Sequence, residues 1–372
     1  PCFFVLRQHT MFNFIIITAV ILIILICFYR SLRGESLSKY KINSFTRYET
    51  QHSDGLMRLY DYLQSTFNIE KQPVLSRSGW SSKREAFDAA ALAREFDCEF
   101  RKDEFVVGDH LLDGAWTLVE GFSSDNRILY LHGGAYTVGS DVSHRPITYQ
   151  IAKRTKCAVF ALNYRLMPES NRKDSIFDCQ AAYDWILNYG PDGPDPVKNI
   201  AILGDSAGGN LALMLSHWSR KPEIKSPNAV VVLSPQTDCT FQSPSMQTNQ
   251  ITDPMLKPLL SRLLKMPKLS LLWLLYWQLG YKPSNPLVSP IFDELSNLPP
   301  TLIQVSSSEM LFDDSIRYVA KARKHGSEVK LQIWNNLPHV WQIFDNFIDE
   351  SQKALDQIGR FLDTNGFNDK IH

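Results

Sequence analysis

Gly204-Asp205-Ser206-Ala207-Gly208-Gly209 sets a serine between glycines two residues before and two residues after it. The stretch lies where a short apolar strand, Ile200–Leu203, gives way to a helical segment, Ala207–Ser219. At a strand–turn–helix junction the flanking glycines clear side chains from a tight turn, and the serine hydroxyl projects above the sheet. The first amides of the helix bring partial positive charge beside it. The chemistry this serves is attack on an acyl carbonyl, with Ser206 as nucleophile. The plainer reading is a tight turn whose serine caps the helix.

An attacking hydroxyl needs donors for the developing oxyanion, a base and an acid. His132-Gly133-Gly134-Ala135-Tyr136 follows the apolar strand Ile128–Leu131, and its small residues let backbone N–H groups converge on an alkoxide. Gly133, Gly134 and Ala135 are the expected donors, together with the amide of Ala207. His132 is read as holding this loop. Of nine histidines, His339 in Asn336-Leu337-Pro338-His339-Val340-Trp341 lies after the last strand and before the final helix. The chain order serine, acid, histidine puts the general base there. The acid should follow the strand Leu302–Val305, where Glu309, Asp313 and Asp314 compete. Glu309 comes first after the strand and is the expected partner of His339. Asp313 and Asp314 are alternative acids, read as opening the next helix.

These residues need a scaffold that brings distant segments to one edge. From Trp116 onward, apolar strands (Ile128–Leu131, Ala158–Leu162, Ile200–Leu203, Val230–Leu233, Leu302–Val305, Val329–Ile333) alternate with helical stretches (Ile147–Arg154, Ile176–Asn188, Ala207–Ser219, Ser315–Lys324, Ile343–Leu362). That rhythm predicts an α/β fold with a mainly parallel central sheet flanked by helices and a site at the carboxyl ends of the strands. We expect an anchor segment at 1–34, a helical cap at 35–107 and a catalytic domain at 108–372 with an insertion at 250–283. Leu56, Leu59, Tyr60 and Leu63 stand at helical spacing in the cap, and Lys83–Phe96 is Ala-rich. In the insertion, Leu271 to Trp277 are all apolar. They form either a buried helix or a lid whose apolar face meets substrate or membrane.

Phe12 to Phe28 contains only Asn13 and Thr18 as polar residues, and such a run meets the length of about 17–25 residues that a membrane span requires. A single-pass N-terminal anchor is expected in preference to a cleaved signal. Arg30, Arg33, Lys39, Lys41 and Arg47 follow the run and only Arg7 precedes it, which places the catalytic domain on the cytoplasmic side. No Asn-x-Ser/Thr sequon opposes that. Met11 is the expected start of translation, leaving Pro1–Thr10 uninformative for the fold. The formal net charge is zero, with 39 basic and 39 acidic side chains, and no basic tract suggests nucleic acid as a partner. The six cysteines lack the close spacing of a zinc or redox site. Cys98, Cys157, Cys179 and Cys239 read as small buried hydrophobes, so no metal is expected.

With these motifs in order, the chain resembles the hormone-sensitive lipase family of α/β-hydrolases, the bacterial type IV esterases, over roughly Trp80 to Phe361. The resemblance runs through His132–Tyr136, Gly139-Ser140, His144-Arg145-Pro146, Asn163-Tyr164-Arg165-Leu166-Met167-Pro168-Glu169 and Gly204–Gly209. It implies an α/β-hydrolase fold, cleavage of short-to-medium acyl or lipid-like carboxylic esters without metal or cofactor, and an N-terminal cap over the site. Ala135 departs from the family's usual third glycine, and Glu309 stands where many members carry Asp. A more distant similarity to membrane-anchored esterases of the arylacetamide deacetylase type suggests the endoplasmic reticulum, though the lumenal facing of such enzymes conflicts with the charge asymmetry here. A non-catalytic small-molecule binder on the same fold is the alternative function, which the presence of His339 disfavours. A peptidase is the third, with no appended domain to support it.

Overall fold

Strands bounded by helices on both sides must bury both faces, and the strand sequences here are accordingly near-continuous in aliphatic residues. The computed structural model describes residues 2–42, 44–67 and 79–367. Its strands are β1 (Thr46–Tyr48), β2 (Glu99–Val107), β3 (His110–Leu118), β4 (Ser123–Leu131), β5 (Cys157–Asn163), a small hairpin of β6 (Tyr189–Gly190) and β7 (Gly193–Pro194), β8 (Asn199–Asp205), β9 (Ala229–Leu233), β10 (Thr301–Ser306) and β11 (Val329–Trp334). Nine of them form one sheet in the order β1-β11-β10-β9-β8-β4-β5-β3-β2. All pairings from β1 to β5 are parallel, and β3 and β2 add an antiparallel edge.

The helices are α1 (Cys2–Arg33), α2 (Asp54–Phe67), α3 (Trp80–Leu92), α4 (Arg145–Thr155), α5 (Arg172–Ile186), α6 (Ser206–Trp218), α7 (Ser245–Thr248), α8 (Leu256–Leu264), α9 (Lys268–Leu279), α10 (Phe312–Lys324) and α11 (Asp349–Leu362). Alternation along the strands divides the core in two. Leu129, Leu131, Ile202, Val230, Val232, Ile303 and Val305 face α5, α6 and α10. Ile128, Tyr130, Ala201, Leu203, Val231 and Leu302 face α4 and α11. Leu131 pairs with Gly204, so the loop after β4 and the turn after β8 leave the sheet side by side.

The region expected as a helical cap, 35–107, also contains the strands β1 and β2. α2 and α3 are helical as the spacing suggested, but β1 extends the sheet beyond β11, and β2 pairs with β3 along its whole length. The boundary at residue 108 therefore falls inside a hairpin. β2 carries no long apolar run because it lies at the sheet edge, where Glu99, Lys102 and Glu104 are exposed and only Phe105 is buried. The final helix begins at Asp349 rather than Ile343. Asp345 accepts from Arg94 and from Gln150, which ties the intervening residues to the loop after α3 and to α4 in a non-helical path. Cys157, Cys179 and Cys239 are buried as expected, whereas Cys98 is only half-buried.

Candidate active site

Apolar strands fix where the functional loops begin. β8 ends in Asp205, and the chain reverses at once into α6, with Ser206 at φ +51°. A serine in the left-handed region is strained, and such strain is held by its surroundings. Here the backbone packs too closely for side chains. A Cβ on Gly208 would lie 1.9 Å from the Leu131 carbonyl oxygen, and one on Gly204 would lie 2.5 Å from that of Gly208.

His339, from the loop after β11, brings Nε2 to 2.9 Å from Ser206 Oγ. Its Nδ1 faces Glu309 Oε2 at 3.5 Å, a separation longer than a well-formed hydrogen bond. Glu309 is fully buried, and Ser234 Oγ donates to the same oxygen at 2.7 Å. The other two carboxylates of this loop are engaged elsewhere. Asp313 accepts from the Ser245 amide, and Asp314 accepts from the amides of Thr237 and Asp238 and from the Ser243 hydroxyl. Of the three candidate acids, the structure brings only Glu309 to His339.

Burial alone would lower the His339 pKa, but the Glu309 carboxylate, with Asp253 and Asp205 farther off, more than reverses this and raises it. Burial pushes Glu309 up, opposed by His339 and by the Ser234 hydroxyl. A hydroxyl within hydrogen-bond reach of an imidazole backed by a buried carboxylate can lose its proton to the ring as it attacks.

The expected oxyanion donors divide. The Gly133 amide donates to Asp205 Oδ1 at 3.0 Å and lies 3.2 Å from His144 Nε2. It is therefore committed inside the protein and drops out as a donor to substrate. The reason is electrostatic: Asp205 is buried, and its carboxylate requires donors, which Gly133 and the Tyr130 hydroxyl supply. Gly134 and Ala135 form no such bond among the described residues. Ala207 lies in the first turn of α6, whose amides have no carbonyl four residues earlier in the helix. Ala135 adopts φ +52°, a conformation natural to glycine, so an alanine stands there at some strain. His132 holds the loop as expected. It stacks on Tyr164 with ring centroids 4.2 Å apart, and burial drives its pKa down to about 3.

Sequence reasoning missed Ser234, Asp205, His144 and Asp253. Ser234 supports Glu309 and accepts from the Val340 amide at 3.2 Å, linking the acid to the base loop. It directly follows β9, the strand between those that carry the nucleophile and the acid, and that position was the available signal. Asp253 is buried and accepts from the amides of Met310, Met255 and Leu256. Nothing local marks it beyond a turn-forming Asp-Pro. The two described cap helices sit against these loops. Leu56, Leu59 and Leu63 of α2 pack with Leu337 and Trp341 on either side of His339. Arg84 of α3 donates to the carbonyls of Thr137 and Met167 beyond the Gly134 turn.

A nine-stranded mainly parallel sheet with a serine at such a turn defines an α/β-hydrolase, and the chain belongs to that fold family, whose signature matches residues 128–343. Within it the chain belongs with the hormone-sensitive-lipase-like esterases. It is 36% identical over 243 residues to an esterase of Acinetobacter venetianus, covering 64% of this chain and 75% of that one. It is 34% identical over 237 residues to an acetyl-hydrolase of Streptomyces hygroscopicus, again covering 64% and 75%. The crystal structure of an esterase from the bacterial hormone-sensitive lipase family superposes with a TM-score of 0.70 at 31% identity, covering 85% of this chain and 99% of the other. The protein is a carboxylesterase-like hydrolase.

Proposed function

We propose that the chain is a serine hydrolase that cleaves short-to-medium acyl or lipid-like carboxylic esters through an acyl-enzyme. The observation that carries this is the 2.9 Å approach of His339 Nε2 to Ser206 Oγ with Glu309 behind the ring. His339 takes the Ser206 proton as Oγ bonds to the ester carbonyl carbon. The resulting oxyanion accepts from the amides of Gly134, Ala135 and Ala207, donors of a kind worth about 2.7–4 kcal/mol each in the transition state. Collapse breaks the bond to the alcohol oxygen, which leaves with the proton from His339. Water then repeats the sequence on the acyl-serine and releases the acid.

Helix α1 contains one stretch, Phe14–Arg33, that is long and apolar enough to cross a bilayer, with a mean hydropathy of 2.6. It serves as a single-pass anchor, and the basic residues after it hold the hydrolase on the cytoplasmic side. The test is hydrolysis of p-nitrophenyl butyrate by purified protein. The expected outcome is turnover that falls by about 10³-fold or more in Ser206→Ala with KM little changed. Equal turnover in the two proteins would remove the serine mechanism.

A further inference from the structure

From Leu271 to Trp277 helix α9 is an unbroken run of aliphatic and aromatic residues. Leu271, Leu272, Leu275 and Leu279 are buried against the domain, whereas Trp273, Tyr276 and Trp277 point outward and are 46%, 39% and 70% exposed. A helix facing water normally carries charge on its outer face, and here that face is aromatic.

Its neighbour is α1. The Trp273 ring packs on Phe28 at a centroid distance of 5.3 Å. The end of α1 is fastened to the domain beside it. Arg33 Nε donates to Gln242 Oε1 at 2.9 Å, and Gln242 Nε2 donates to the Arg33 carbonyl at 3.0 Å. Lys282 Nζ donates to Ser31 Oγ at 2.7 Å, and Ser284 Oγ donates to the Ser31 carbonyl at 3.1 Å. The exposed apolar run of α1 gives way to Arg30 and Arg33 just after Phe28. Trp273 therefore stands at the level where the helix passes from apolar to charged. At a membrane that level is the interfacial layer, in which Trp and Tyr concentrate because their rings are apolar at one end and polar at the other.

We propose that the outward face of α9 lies in the interfacial layer of the bilayer that α1 crosses, so that the hydrolase is docked on the lipid surface rather than tethered at a distance from it. This rests on the reading of α1 as a span. The continuity of the two helices selects a bilayer as the occupant: a soluble partner covering Trp273 and Trp277 would have to abut lipid along α1.

The experiment uses the full chain in phosphatidylcholine vesicles made with or without brominated acyl chains, which quench nearby tryptophan. α1 contains no tryptophan, so quenching reports the catalytic domain. Tryptophan emission should fall in brominated vesicles, and the Trp273→Phe/Trp277→Phe protein should lose most of that fall while hydrolysing soluble p-nitrophenyl acetate at the unaltered rate. Three results overturn the proposal. Protein that resists alkaline carbonate extraction yet emits equally in both vesicles removes the docking alone. Quenching undiminished in the double variant does the same, because other tryptophans then account for it. Release by carbonate removes the span and the docking with it.

Discussion

Two buried histidine–carboxylate pairs flank the serine turn, and they differ in what their outer atoms meet. In the first, His339 turns Nδ1 to Glu309 and Nε2 to Ser206 Oγ. In the second, His144 Nε2 lies 3.4 Å from Asp205 Oδ1, and both atoms converge on the Gly133 amide, while Nδ1 meets Ser143 Oγ at 2.9 Å. The chemical groups are nearly the same, but only one imidazole has a free-ended hydroxyl on its far side. The other meets the Ser143 hydroxyl, which is already engaged with the Ser140 carbonyl and amide. A histidine beside a carboxylate is thus a catalytic candidate only where a nitrogen is left for something that must react.

The largest effect that would sharpen this contrast is removal of each imidazole in turn. His339→Ala should lower kcat for p-nitrophenyl butyrate by about 10⁴-fold, and His144→Ala by no more than about 10-fold through a loosened oxyanion loop. Comparable losses in steady-state assays of the two variants would break the contrast.

Replacing the carboxylates comes next. Glu309→Gln should cost about 10²–10⁴-fold in kcat and move the acid limb of the pH–rate profile to lower pH. The sign follows from the raised His339 pKa: the base must be neutral to act, the carboxylate favours the charged ring, and removing it lets the ring lose its proton at lower pH. Asp205→Asn should move that limb in the same direction but by much less, because Asp205 is the smallest of the carboxylate contributions to the raised His339 pKa. Burial would raise Asp205, but His144, the Tyr130 hydroxyl and His132 more than offset this and lower its pKa. A lowered carboxylate pKa adds stability above the unfolded value of about 3.9 that is lost as pH falls below it. Thermal melts of Asp205→Asn should accordingly show a weaker loss of Tm on acidification than the parent.

Smaller effects follow from the neighbours. Ser234→Ala removes one donor to Glu309, a buried bond of about 1.5–3 kcal/mol, and should slow turnover by about 10-fold with KM steady. Asp313→Asn should change kcat less than about threefold, because its carboxylate serves the Ser245 amide. A loss near that of Glu309→Gln would reassign the acid.

The side chains proposed for catalysis are legible because each follows an apolar strand, and the strand pattern gives both the fold and the order in which its loops arrive. Ser206 is read from its flanking glycines at such a strand end, and Glu309 and His339 from the serine–acid–histidine order of the loops that follow later strands. The supporting groups were not legible. Ser234 and Asp253 act through bonds to Glu309 and to the Met310 amide, and no local spacing encodes a partner more than 50 residues away. The assignment of Gly133 as an oxyanion donor failed for a related reason. A Gly-Gly-Ala run shows which amides are sterically free, not which of them a distant aspartate has already claimed. β1 and β2 escaped notice because edge strands carry charge outward and lack the buried pattern of central ones.

Strand β1 pairs with β11, matching Thr46 to Gln332 in parallel. A chain leaving the ribosome therefore makes its first strand of this sheet long before the partner exists, and contacts so distant in sequence form slowly. The segment that supplies His339 comes only a few residues after β11. Hydrolytic competence should thus arrive late in biogenesis, only after β11 has been made and has closed on β1 and β10.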